Sequence, residues 1–215
     1  MMRIVCPYTP AGLRPETRAA LEATGRPVEF RDVSADDFAY GRLVAELWAA
    51  GLPFLLAEQD IVAPVAYIEA LEACHGRICC APFPYRSTAL GDRLVTSFGF
   101  ARFSAAILAA YPTLPAGIGP RPWYTLDDAY FQALAALGVP THVHARPVEH
   151  LGWERPREYP VDEPGQPIAL PDGRTIDLVT PSAVAAFRAI EAEWRAAHPI
   201  EIMATLDQSP ALGTH

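Results

Sequence analysis

Glu58 and Asp60 stand one residue apart at the end of an apolar run, Leu52-Pro53-Phe54-Leu55-Leu56-Ala57, with Gln59 between them. Such a run reads as a buried strand, and its abrupt end puts two acids at the edge of a sheet. Open α/β sheets bind ligands outside the carboxyl ends of their strands, where paired carboxylates can hold a divalent cation together with phosphate oxygens. An isolated Glu-x-Asp can equally do no more than solvate a loop, so the surroundings decide.

Two further groupings carry chemistry. Three of the six histidines fall within nine residues, His142, His144 and His150. His142 and His144 alternate along an extended segment and share a face, His150 follows a turn, and neutral imidazole is a common metal ligand. Hydrogen-bonded surface histidines would give the same pattern. The second grouping is Thr125-Leu126-Asp127-Asp128. Thr125 is expected to N-cap a helix running to Leu137, with Asp128 third in the helix as in a capping box, and acids so placed have lowered pKa values. The cysteines Cys6, Cys74, Cys79 and Cys80 fit no standard zinc spacing and are expected as buried thiols. Cys74, His75, Cys79 and Cys80 are poor candidates for one metal, since adjacent residues of a strand face opposite sides.

These residues need a scaffold. Met2 to Pro7 reads as a first strand, followed by a loop through Pro10 and a helix from about Pro15 to Thr24, closed by Gly25. Pro27 to Val33 reads as a second strand, and Ser34 as the cap of a helix ending at Gly51. After the acid-tipped strand come a helix over about Val65 to Cys74 and a strand over Arg77 to Phe83. Pro82 to Gly91 reads as loop, Leu94 to Phe100 as a strand, and a helix is expected to begin near Arg102. The proline- and glycine-rich Tyr111 to Trp123 segment is expected to be irregular and to act as a lid. A hairpin at Pro171-Asp172-Gly173 and a helix from about Ser182 to Ala197 complete the chain. Alternating strands and helices predict an α/β fold with a mainly parallel sheet.

With 215 residues, 51% of them hydrophobic, the chain can bury one good core. The expected division is one main domain, residues 1–150, and a C-terminal appendage, residues 151–215. A net charge of -8 disfavours a basic nucleic-acid surface or an electrostatic membrane anchor. All 17 basic residues are arginine, which excludes lysine Schiff-base chemistry. Met1 leads directly into Arg3-Ile4-Val5-Cys6 without the apolar run of a signal peptide or membrane span, so a cytoplasmic protein is expected.

In order, the strand entering a loop at Pro7-Tyr8-Thr9, the strand tipped by Glu58-Gln59-Asp60, Thr125-Leu126-Asp127-Asp128 and the late histidines resemble a compact GT-A glycosyltransferase of the family 2-like kind. The resemblance covers about residues 3 to 150. The segment Phe98-Gly99-Phe100-Ala101-Arg102-Phe103-Ser104, with the Glu-x-Asp-Ile strand end and the His-x-His…His ending, also resembles short phage and actinobacterial proteins described as glycosyltransferases. The family fold implied is a single Rossmann-like sheet flanked by helices.

The resemblance further implies a nucleotide-diphosphate sugar as donor and an acceptor hydroxyl of unknown identity. Glu58-Gln59-Asp60 would correspond to the D-x-D motif, with Asp60 on Mn²⁺ or Mg²⁺ and Glu58 on the metal shell or the ribose. His144 or His150 would complete the metal site. Asp127, with Asp128 as runner-up, would be the base of an inverting transfer, and Pro7, Tyr8, Thr9 and Asp32 would line the nucleotide pocket. Glu58 stands in place of the first Asp of D-x-D, Leu126 in place of the Glu of an E-D pair, and only one helix separates the second strand from the acid motif. A non-catalytic nucleotide- or sugar-binding protein of the same fold and a metal-dependent phosphoesterase are the alternatives. The first strand lacks the D-x-H or D-x-D start of many dinuclear hydrolases.

Overall fold

The structure, a computed structural model, describes residues 2–87, 91–152 and 167–177, and the expected last helix lies outside them. In chain order the first elements are β1 (Arg3–Tyr8), α1 (Pro15–Glu22), β2 (Val28–Asp32), α2 (Ala39–Ala49), β3 (Phe54–Ala57) and β4 (Ile61–Val62). There follow α3 (Val65–Ala73), β5 (Ile78–Cys80), β6 (Phe83–Ser87), β7 (Gly91–Val95), β8 (Phe100–Phe103) and α4 (Ala105–Ala110). The last are α5 (Leu114–Ile118), α6 (Trp123–Ala136), β9 (Thr141–Val143), β10 (Glu149–His150), β11 (Ile168–Ala169) and β12 (Thr175–Ile176).

The central sheet has six strands in the order β2-β1-β3-β8-β5-β9. β1 pairs in parallel with β2 and β3, and β5 with β9, while β8 runs antiparallel to both β3 and β5. The expected α/β fold, a mainly parallel sheet flanked by helices, is therefore found. Both faces of the sheet's centre are covered, which is why β1, β3 and β5 are apolar without alternation, whereas the edge strands β2 and β9 mix polar and apolar residues. Val5, Phe54, Leu56, Ile78, Cys80 and Phe103 pack beneath α2, α4, α5 and α6. Ile4, Cys6, Leu55, Cys79 and Phe100 pack on the opposite side, with Leu21 of α1 and Ile68 and Leu71 of α3.

Several elements differ from expectation. Residues expected as loop after Pro82 form the antiparallel ribbon β6–β7, an isolated pair that tolerates Pro84 because one side of each strand is an edge. β8 accordingly starts at Phe100, and Ser104, rather than a residue near Arg102, opens α4 by accepting the Ile107 N–H. Ser34 caps nothing: local turns in which Asp32 Oδ1 accepts from Ser34 N and Asp36 Oδ1 from Phe38 N delay α2 until Ala39. The Tyr111 to Trp123 segment contains α5, whose Leu114 and Ile118 are buried against the core. Gly117 approaches the Ala169 carbonyl so closely that no Cβ would fit. The β11–β12 hairpin thus sits against α5, with Ile168 and Leu170 in the same core, and its Gly173 takes φ 87°.

Trp48 centres the larger cluster. Its ring lies 5.6 Å from Phe103 and 5.4 Å from Tyr130, and its indole N–H donates to the Tyr111 carbonyl at 2.9 Å. Trp48→Ala should cost about 3–5 kcal/mol of unfolding free energy, read by urea denaturation, because it empties a core site and strands a carbonyl.

Candidate functional site

The carboxyl ends of β1, β2, β3, β5 and β9 all lie on one edge of the sheet, since these strands run in the same direction. Glu58 follows β3 there, its N–H donating to the Gly99 carbonyl at 2.9 Å and its carbonyl accepting from Ile61 N at 3.0 Å. The resulting tight turn sends three successive polar side chains to three different segments. Tyr40 of α2 donates its hydroxyl to Glu58 Oε1 at 2.9 Å. Gln59 Oε1 accepts from the Thr9 N–H at 2.7 Å, and the Gln59 carbonyl accepts from Arg14 N at 2.9 Å. Asp60 Oδ2 lies 3.3 Å from His150 Nε2.

Asp127 of α6 lies within electrostatic reach of Glu58 and Tyr40. Desolvation raises its carboxyl well above the usual aspartate range, and the charges of Asp128 and Glu58 add to the shift. The Tyr40 hydroxyl is raised for matching reasons: burial first, then the Glu58 charge, its hydrogen bond to Glu58, and Asp127. It stays a donor and cannot compete as a base. Asp128 is pushed up to about 6 by desolvation, and its backbone N–H donates to Asp127 Oδ1 at 2.9 Å. The lowered values expected of helix-capping acids are not found. α6 starts at Trp123 behind Pro122, so Thr125 is third in the helix, its hydroxyl turned to the Pro122 carbonyl, and both aspartates lie past the first turn, where they gain little from the helix dipole.

Asp60 and His150 are 7% and 4% exposed, so each charge or ring nitrogen there requires a partner. The antiparallel pairing of β4 with β10 sets Ile61 opposite His150, and Leu151 N donates to the Asp60 carbonyl at 2.8 Å. His150 Nδ1 lies 2.8 Å from the Pro84 carbonyl, which can only accept, so Nδ1 carries a proton. Nε2 then faces Asp60. With Nε2 protonated as well, the contact is an ion pair; with Nε2 deprotonated, the Nδ1–H bond to a carbonyl is the kind that orients a histidine to bind a metal.

The other expected residues are spread along the same edge. Pro7 and Tyr8 end β1, with the Tyr8 carbonyl accepting from Val33 N at 2.9 Å. The Thr9 carbonyl accepts from Gly12 and Leu13, forming a tight turn braced by Gln59. Asp32 is exposed at the end of β2, its carboxyl lowered by hydrogen bonds from Ser34. Burial pushes the Cys6 thiol up to about 12, with Glu58 and Asp60 contributing against Arg18. His144 joins a different set: among the described residues, the group of three or more His, Cys, Asp or Glu ligand atoms gathered within 4.8 Å consists of Cys74, Cys79, His142 and His144. Tyr40 and Gln59 are site residues that the sequence did not single out. Gln59 could have been found as the polar residue enclosed between two acids, whereas Tyr40 is indistinguishable from a core position of an amphipathic helix.

No protein-family model and no curated protein matches the chain. Among solved structures, A197 from STIV superposes with a TM-score of 0.48 at 13% identity, over 83% of this chain and 95% of that one. A glycosyltransferase involved in the glycosylation of the major capsid of PBCV-1 superposes with a TM-score of 0.40 at 13% identity, over 66% of this chain and 81% of that one. Likenesses of this depth leave the function to the residues. Among the described residues no helix is long and apolar enough to cross a membrane.

Asp128 offers a direct check on the electrostatics. The unfolded chain releases this proton near 3.8 and the native chain only near 6, so the group's contribution to stability is full below 3.8 and falls as pH rises through that window. Asp128→Asn should remove the fall. Its melting temperature relative to the wild type should climb between about pH 4 and about pH 6 and then level off, followed by thermal melts across pH.

Proposed function

We propose that the protein is a glycosyltransferase of the GT-A type, moving a sugar from a nucleotide-diphosphate donor to an acceptor hydroxyl. The observation that carries this reading is one turn at the carboxyl edge of a mainly parallel sheet that holds both Glu58, within electrostatic reach of Asp127, and Asp60, paired with His150. It is supported by the resemblance of the same residues, in the same order, to family 2-like enzymes.

Asp60 and His150 are the pair that would hold a divalent cation, Asp60 supplying hard oxygen and His150 Nε2 lying 3.3 Å from it, while Glu58, bonded to Tyr40, would act on the metal shell or the ribose. Mn²⁺ or Mg²⁺ held there would neutralise charge on the departing nucleoside diphosphate. His144, gathered with Cys74 and Cys79, falls out of this set, leaving His150 as the histidine ligand. Tyr40 keeps Glu58 oriented toward the edge, and Gln59 ties the Thr9 loop to the same turn, so that donor and cation sites are held together. Pro7, Tyr8 and Thr9 would contact the nucleotide, with Asp32 at the ribose or base.

Asp127, not Asp128, is assigned as the base, because it is Asp127 whose proton affinity responds to Glu58 and which in turn acts on Tyr40. A desolvated carboxylate of raised pKa is well matched to taking a proton from a hydroxyl as the acceptor attacks with inversion. The site should lose activity as pH falls, since the base must be ionised.

Two experiments test the proposal. Asp127→Asn should reduce transfer about 10²–10⁴-fold with donor binding close to wild type and, since a desolvated carboxyl of raised pKa costs stability when ionised, a melting temperature no lower than wild type; near-normal turnover would remove the assigned mechanism. A nucleoside diphosphate at about 100 times its Kd should stabilise the wild type by about 2.7 kcal/mol, more with Mn²⁺ than without. Asp60→Ala should abolish the Mn²⁺-dependent part in a thermal-shift assay, and an unchanged shift would show that the cation binds elsewhere.

A further inference from the structure

Away from the carboxylates, two cysteines and two histidines meet on the other covered face of the sheet. Cys79 lies on β5, directly opposite His142 in the parallel register of β5 with β9. His144 follows two residues later and returns to the same face, as the period of a strand requires. Cys74 ends α3, and the Cys74-His75-Gly76-Arg77-Ile78-Cys79 turn folds its sulfur back to 2.7 Å from Cys79 Sγ and 3.0 Å from His142 Nδ1. That turn needs glycine: a Cβ on Gly76 would stand 2.8 Å from Cys79 Sγ and 2.9 Å from His142 Cβ. Cys80, as expected for the next residue of a strand, packs in the opposite core.

We propose that Cys74, Cys79, His142 and His144 bind a zinc ion, in a structural site separate from the hard-cation site at Asp60. All four ligand atoms already lie within 4.8 Å of one another. In a tetrahedral zinc site with bonds of about 2.0–2.3 Å the ligand atoms stand about 3.3–3.8 Å apart, so small side-chain rotations that part Cys74 Sγ from Cys79 and His142 and draw the rest together reach that spacing. Among the described residues, His144 Nε2 is shut off from solvent without a hydrogen-bond partner, an arrangement that costs stability unless the ring serves some other ligand. Arg102, buried on β8 between β3 and β5, supplies the surrounding support. It donates to the Gly76 carbonyl at 2.7 Å and the Cys74 carbonyl at 3.0 Å, and reaches Cys79 Sγ at 3.4 Å, fixing both cysteine-bearing segments and facing their thiolates with positive charge. Two sulfurs and two imidazoles select zinc over Mg²⁺ or Mn²⁺. Bound there, zinc would lock the edge strand β9 and the end of α3 to β5.

The test is metal content and spectroscopy on the full chain purified under reducing conditions. About one zinc per chain is expected by atomic emission, and Co²⁺ put in its place should show the visible bands of a tetrahedral ion with a sulfur-to-cobalt charge-transfer band. His142 is exposed, so His142→Asn should fold. It should lose zinc to a competing chelator at least about 10-fold more readily than the wild type, while Asp60→Ala keeps its zinc. A reduced chain that neither carries zinc nor takes it up, or a cobalt form without the sulfur band, overturns the proposal. So does a freshly purified, zinc-free chain in which Cys74 and Cys79 are found joined as a disulfide.

Discussion

The turn that ends β3 joins the parts of this molecule that matter for chemistry. A buried strand must release its backbone at the sheet edge, and here it does so through Glu58, Gln59 and Asp60, whose side chains go to α2, the β1–α1 loop and β10 respectively. Each partner lies far away in the sequence, so one tight turn fixes the relative positions of three segments. A shift of one residue in β3 would send Leu56 and Leu55 to the wrong cores and misdirect all three polar contacts at once.

The same turn sets the electrostatics. Glu58 lies close enough to Asp127 to raise its proton affinity, and Asp128 adds to the effect from the neighbouring position. Carboxylates held this near one another in partly desolvated surroundings favour either a retained proton or a positive ligand. The proposed metal-bound diphosphate and proton-accepting base would each relieve that tension.

Much of this layout is legible in the sequence, for identifiable reasons. The strand end at Glu58, the strand and helix alternation, and the common face of His142 and His144 follow from local periodicity. The glycine stops at Gly25, Gly51 and Gly138 follow from local backbone chemistry, and all three take positive φ. What local rules miss is pairing across the chain. That β9 lies beside β5, setting His142 against Cys79, depends on sheet order, which no motif announces. Tyr40 reads as core because a partly buried hydroxyl on an apolar helix face has no signature until its partner is located. Thr125 is a better cap than Pro122 by residue type, yet Pro122 holds the N-cap position and the Trp123 N–H, which donates to the Asp37 carbonyl at 2.9 Å, ties the helix down three residues earlier than a Thr125 cap would.

The central claim is that these carboxylates serve sugar transfer rather than phosphate-ester hydrolysis or binding alone. Incubating the protein with a panel of nucleotide-diphosphate sugars and candidate acceptors in the presence of Mn²⁺, with the products read by mass spectrometry, addresses it most directly. The account predicts an acceptor carrying one added glycosyl mass together with the released nucleoside diphosphate. Donors that remain intact with every acceptor, or that release phosphate without any glycosylated product, would contradict it.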